Sequence, residues 1–177
     1  MEKINKEFFN QSPEIVARAL LGKFLIRKVN EKELVARIVE TEAYFGPEDP
    51  ASRARYHGDL RKTMEMKPGT ILVFGVHNNW LFNLVTGNLG VVSAVLIRAV
   101  EPINFNQKGN GPGLLTKSLK IDKKFHKLSI FNNPKIKIIN KKDNNFDIVE
   151  SFRIGVSKDL DIKLRSYIKG NKFVSRV

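Results

Sequence analysis

The chain contains no cysteine. That absence removes disulfides, thiolate nucleophiles and cysteine-ligated zinc or iron–sulfur sites from consideration. Histidine is scarce too: His57, His77 and His126 are the three present, and their spacing matches no metal-ligand pattern. Neither a metal nor a cofactor is therefore expected. No apolar run is long enough to span a bilayer, so no membrane partner is expected either. The opening residues, Met1-Glu-Lys-Ile-Asn-Lys-Glu7, lack an apolar signal core, which points to a cytoplasmic, nucleoid-associated protein. With no internal repeat and no linker, residues 1–177 read as one domain.

What the chain has in surplus is positive charge. Lys and Arg number 31 against 18 Asp and Glu, a formal net charge of +13. Such an excess suits a polyanion, because each cation that neutralises a phosphate releases condensed counterions. A composition biased toward Lys, Asn and Ile gives the same surplus without any selection for binding. Apolar residues make up 42% of the chain, enough for a core.

One stretch organises the rest: Arg37-Ile-Val-Glu-Thr-Glu-Ala-Tyr-Phe-Gly-Pro-Glu-Asp49. It begins as a strand rich in β-formers and stops at Gly46-Pro47. Side chains of a strand alternate faces, so Glu40, Glu42 and Tyr44 project from one side. A solvated sheet face is the ordinary home for two glutamates, since a buried carboxylate without a partner costs several kcal/mol.

Around it, Ser12-Pro13 predicts the start of a helix that ends at Gly22, with Ile15, Val16, Ala19 and Leu20 facing inward. Phe24–Val29 and Glu33–Phe45 predict a hairpin. Residues 46–65 lack a period and read as a functional loop or short helical turns. Lys67-Pro-Gly-Thr70 predicts a turn, and residues 71–99 an antiparallel meander. Gly111-Pro-Gly113 opens a short helix over Leu114–Leu119 whose start can hold a phosphate. Lys135–Ile139, Arg153–Val156 and Leu164–Ile168 complete the sheet, with a polar loop running from residue 140 to Asn145. The expected architecture is α/β (α+β): one curved, mainly antiparallel, roll-like sheet with flanking short helices and a protruding hairpin.

Eight motifs in register give the chain a resemblance. Ala17-Arg-Ala-Leu-Leu-Gly-Lys23, Val39-Glu-Thr-Glu-Ala-Tyr-Phe-Gly-Pro-Glu-Asp49, Lys67-Pro-Gly69 and Asn83-Leu-Val-Thr-Gly87 are followed by Leu96-Ile-Arg-Ala-Val-Glu-Pro102, Gly111-Pro-Gly-Leu-Leu-Thr-Lys117, Arg153-Ile-Gly-Val156 and Tyr167-Ile-Lys-Gly-Asn171. Together they cover nearly the whole chain, which resembles the alkylpurine (3-methyladenine, or methylpurine) DNA glycosylases.

The resemblance implies a monofunctional hydrolase of base excision repair. Such an enzyme flips a damaged purine out of duplex DNA and cuts its N-glycosidic bond, because a base inside the helix is sterically shielded. It implies that Glu42 activates the attacking water, with Glu40 the second choice and otherwise a partner for an arginine. An ionised carboxylate suits an oxocarbenium-like sugar. Tyr44 matches the tyrosine that stacks on the base, and Phe74 falls where the family has a second tyrosine. Asn83 matches the asparagine that excludes guanine, and Val156 the far wall.

Arg53 stands where the family has histidine. Either its guanidinium turns away, toward Glu40 or phosphate, or the substrates lean toward neutral lesions; His57 is a possible replacement. The family also inserts a tyrosine from a hairpin into DNA. His77 is the nearest match, while Trp80 reads as core packing with insertion the alternative. Arg98 matches an arginine that holds the DNA backbone, and Lys117, Lys120, Lys169 and Lys172 read as generic phosphate contacts. The expected partner is double-stranded DNA, met by a monomer without strand cleavage. The competing readings are a non-catalytic nucleic-acid-binding module of related fold and a purine nucleosidase.

Overall fold

Strand β3 (Lys32–Tyr44), the longest in the molecule, has partners along both edges. The computed structural model describes residues 2–140 and 145–176; part of the expected polar loop, residues 141–144, lies outside the described residues. One edge of β3 pairs with β6 (Ala94–Pro102) from Ala36 to Tyr44. The other pairs first with β2 (Phe24–Val29), over residues 32–37, and then with β9 (Arg165–Ile168), over residues 40–42. The hairpin β2–β3 reverses at Asn30, whose positive φ of 52° suits asparagine.

The remaining strands extend this centre. β4 (Ile71–Val76) and β5 (Asn79–Val85) continue the meander outward from β6. β7 (Ile136–Asn140) and the N-terminal β1 (Glu2–Lys3) lie outside β2, and β8 (Ile148–Ser151) lies outside β9. The described residues thus form a nine-stranded sheet ordered β1-β7-β2-β3-β6-β5-β4, with β9 and β8 branching from β3. Every strand pairing is antiparallel, the curved α+β architecture expected.

Short helices cover the sheet: α1 (Lys6–Phe9), α2 (Pro13–Leu20), α3 (Asp59–Met64) and α4 (Pro112–Ser118). Phe9, Leu20, Leu25, Phe82, Ile97 and Leu115 anchor the main core. Thr41, on the face of β3 opposite the two glutamates, gives its hydroxyl to the Ala17 carbonyl at 2.8 Å and so docks α2. The loop before α4 presses on β6: a Cβ at Gly109 would lie 2.1 Å from the Val100 carbonyl oxygen, so no other residue fits.

Several expectations need correction. Helix α2 buries Pro13, Val16, Ala17 and Leu20, the i, i+3, i+4, i+7 stripe, and leaves Ile15 46% exposed. Ser12 precedes it but makes no side-chain cap bond. Arg153–Val156 is not a strand, because the Arg153 and Ile154 N–H groups go to the Asp159 and Glu42 carboxylates and Gly155 takes a positive φ of 73°. Ile148–Ser151 fills the sheet position beside β9 instead. The short elements β1 and α1 have no signature in the periodicity.

Candidate active site

Alternation along β3 places Glu40, Glu42 and Tyr44 on one face, and opposite bulges aim an arginine at them. The register between β3 and β6 shifts at Ile38/Glu40 and returns at Glu40/Thr41, leaving Val39 and Arg98 as the unpaired residues. Arg98 spans both carboxylates: its Nε donates to Glu40 Oε1 at 3.1 Å and its Nη1 to Glu42 Oε2 at 3.2 Å. Nη1 also lies 3.4 Å from the Ile154 carbonyl oxygen. Both glutamates are fully buried, at 0% exposure. Partners are what make that tolerable.

Glu40 is engaged on every side. Arg165, from β9, donates Nε to its Oε1 at 2.7 Å. Ser175, in the segment after β9, donates its backbone N–H to Oε2 at 2.7 Å and its hydroxyl to Oε1 at 2.9 Å. Glu42 has lighter company. The Tyr44 hydroxyl donates to Oε2 at 2.8 Å and the Ile154 N–H to Oε1 at 2.8 Å. Burial pushes the Glu42 carboxyl above the ordinary range, against the opposing pull of Arg98, the Ile154 N–H and Tyr44. The Tyr44 phenol is raised well above its usual value, first by burial and then by the adjacent Glu42.

Beside this pair lies a cavity of about 550 Å³. Tyr44, Phe74, Asn83, Val156, Arg53 and Arg98, all named from the sequence, line it together. Glu42 does not line it; its three partners Tyr44, Arg98 and Ile154 do, so the carboxylate sits one layer behind the wall. Asn83 is buried and oriented by an Nδ2 bond to the Leu72 carbonyl at 3.1 Å. Arg53 does not turn toward Glu40, which is already surrounded. Its guanidinium lies over the Phe74 ring, 5.8 Å from the centroid. His57 is exposed and away from the cavity wall.

A second buried cluster holds the wall from behind. Arg153 meets Asp49 with two parallel bonds of 2.7 Å, reaches Asp159 through Nε at 2.9 Å and donates to the Ala43 carbonyl at 2.9 Å. Its guanidinium carbon stacks 4.5 Å from the Tyr44 ring centroid. Burial disfavours the charged form of both partners. Yet the Arg153 bonds hold the Asp49 carboxyl below its ordinary value, and Asp49 in turn raises Arg153. Ile154 and Gly155 follow directly, so this cluster sets where the Ile154 N–H points.

The outer residues are placed as follows. His77 and Asn78, with φ of 46° and 60°, form the two-residue tip of the β4–β5 hairpin, and His77 is exposed there. Trp80 is not core: it is 37% exposed, its ring lying over Gly75 of the partner strand. Arg98 is 8% exposed and committed to the carboxylates, whereas the resemblance gave it the DNA backbone. Lys117, Lys120, Lys169 and Lys172 are exposed and outside the cavity. Helix α4 does begin at Gly111-Pro112, which lines the cavity.

Sequence reasoning missed Asp49, Ile154, Arg165 and Ser175 as parts of the site. A signal existed for Arg165, a cation inside an apolar strand. Ser175 had none. Among the described residues no group of three or more His, Asp or Glu side chains could hold a metal ion, and no helix is long and apolar enough to cross a membrane.

Comparison with known proteins places these features in context. Residues 7–172 match the family model for methylpurine-DNA glycosylase (MPG). A protein of Borrelia garinii subsp. bavariensis is 41% identical over 187 residues, spanning 98% of this chain and 100% of the relative. Another from Aeropyrum pernix is 37% identical over 184 residues, 97% and 92% of the two chains. A third, from Legionella pneumophila, is 36% identical over 184 residues, 99% and 100%. All three are provisionally named 3-methyladenine DNA glycosylases. Matched over residues 7–172 by the family model and over nearly its full length by these relatives, the chain belongs to the methylpurine-DNA glycosylase family.

Proposed function

We propose that the protein is a monofunctional DNA glycosylase of base excision repair, releasing alkylated or otherwise damaged purines from duplex DNA by hydrolysis. The observation that carries this reading is the buried Glu42 carboxylate set directly behind an aromatic-lined cavity.

The chemistry follows from the groups present. A purine swung out of the duplex enters the cavity and lies between Tyr44 and Phe74, whose faces suit a flat ring. A water entering from the cavity between Tyr44, Arg98 and Ile154, the three residues that separate it from Glu42, comes within reach of the carboxylate. As the glycosidic bond stretches, its electron pair goes with the base. A cationic alkylpurine therefore departs neutral, while a neutral lesion takes up a proton from solvent. Positive charge grows on the sugar. Ionised Glu42 stabilises that charge and takes the proton of the attacking water. Arg98 keeps Glu42 ionisable despite its burial, and Tyr44 holds one carboxylate oxygen still. Glu40, with four donors around it, offers no free face to a water and keeps a structural role.

The exposed hairpin tip at His77 reaches outward, where a ring can fill the gap left by a flipped base. Exposed lysines supply phosphate contacts. In this reading the protein acts as a monomer, and the lesion set includes 3-methyladenine. The test is base release from duplexes carrying 3-methyladenine, 7-methylguanine, hypoxanthine or ethenoadenine, set against the free nucleosides. Release from at least one damaged duplex is expected. Silence on all four, or equal release from free nucleosides, would sink the proposal.

A further inference from the structure

We infer that Ser175 is a positioning residue for Glu42, acting through Glu40 and Arg98, so that the segment after β9 helps to set the catalytic geometry. The inference rests on the reading of Glu42 as the base of a glycosylase.

The connection can be followed bond by bond. Ser175 gives Glu40 two donors: its N–H to Oε2 at 2.7 Å and its hydroxyl to Oε1 at 2.9 Å. Among the described residues no other hydrogen bond reaches Oε2. Arg165 donates Nε to Oε1 at 2.7 Å, Nη1 to Ser151 Oγ at 3.0 Å and Nη2 to the Arg176 carbonyl, so β9 grips carboxylate and tail together. Ser175 and Arg176 also line the cavity. Arg98 divides itself, with Nε on Glu40 and Nη1 on Glu42.

That division is stable only while Glu40 is satisfied by others. A buried carboxylate short of donors cannot turn to water, so it draws on the nearest guanidinium. Without the Ser175 donors, Oε2 is left bare. Arg98 then turns to serve both oxygens of Glu40 through Nε and Nη2, and the rigid guanidinium carries Nη1 away from Glu42. Glu42 keeps its burial, loses its cation and becomes harder to ionise. The other groups around it do not compensate. Tyr44, on its own strand, is a neutral donor, the Ile154 N–H is an amide, Arg165 from β9 faces Glu40, and Arg153 from the loop is saturated by Asp49 and Asp159.

The experiment uses the full chain and two readouts: ¹³C NMR titration of the Glu42 carboxyl in the free protein, and single-turnover base release across pH. Ser175→Pro removes both donors, Ser175→Ala the hydroxyl alone, and Ser175→Thr neither. Ser175→Pro is expected to move the Glu42 titration up by about one unit, a tenfold change in its ionisation. Release should slow by about tenfold on the acid side and recover as pH rises. Ala keeps the N–H donor to Oε2, so it and Thr should both stay close to the parent. If the proline variant does not fold, an amide-to-ester replacement at Ser175, which removes the N–H alone, decides by the same readouts. Slower release with an unmoved Glu42 titration would make Ser175 merely structural and overturn the inference, as would no change in either. A parent protein that releases no base, but whose Glu42 still shifts on substitution, would retire the glycosylase reading alone.

Discussion

Arg153 and Arg98 are both buried and both face two carboxylates, yet the two clusters do opposite things. Around Arg153 every partner is saturated. Asp49 takes the two-pronged guanidinium and also accepts the N–H groups of Phe45 and Ala51, each at 3.0 Å. Donors outweigh burial there, and the Asp49 carboxyl sits below its ordinary value. Around Arg98 one guanidinium is split between two carboxylates, with one bond to each. Glu40 receives most of the donors, while Glu42 receives fewer, and burial wins at Glu42. The same residue types therefore give a lock in one place and a poised acid–base group in the other. What differs is the count of donors against the cost of burial.

The largest effect should come from the poised side. Glu42→Gln is expected to lower single-turnover base release by about 10²–10⁴-fold while leaving DNA affinity within a few-fold, because it removes ionisation and little volume. Normal turnover in that variant would move the base to Glu40. The lock should fail differently. Asp49→Asn leaves a buried guanidinium under-paired and is expected to cost about 3–5 kcal/mol in urea unfolding.

The two clusters also carry opposite pH signs. Asp49 has a depressed folded-state pKa, so its stabilisation is present above the unfolded value and is lost as pH falls through the folded one. The penalty of Asp49→Asn should therefore shrink in acid. Glu42 has a raised folded-state pKa, so its burial begins to cost stability as pH rises past the unfolded value. Base release should show an acid limb above the ordinary carboxylate range; a limb in that ordinary range would erase the contrast.

Smaller effects belong to the rim. His77→Ala is expected to weaken lesion-specific binding by about 1–3 kcal/mol, the value of one stacked ring. Unchanged affinity would point to the exposed Trp80 instead. Arg53→Met should shift the ratio of 7-methylguanine to hypoxanthine release toward the cationic lesion by up to about tenfold, since an exposed charge is partly screened. An unchanged ratio would show that Arg53 does not sense the charge of the base.

The sequence by itself determined the local geometry of the site. Strict alternation put Glu40, Glu42 and Tyr44 on one face, and the turn residues marked the β2–β3 hairpin and the β4–β5–β6 meander. Those features depend on neighbours a few residues away, which is what periodicity records. Tertiary structure alone decided how the two glutamates differ. Apart from Tyr44, two residues from Glu42, their partners lie 56 to 135 residues further along the chain, at Arg98, Ile154, Arg165 and Ser175. No local pattern carries such pairings. The same holds for the Ile154 N–H, given to the Glu42 carboxylate across 112 residues where a strand was expected. It holds again for Trp80, left exposed over a glycine. Side-chain type sets what a group can do, but the donors that fold back onto it decide whether a buried acid is fixed or free to react.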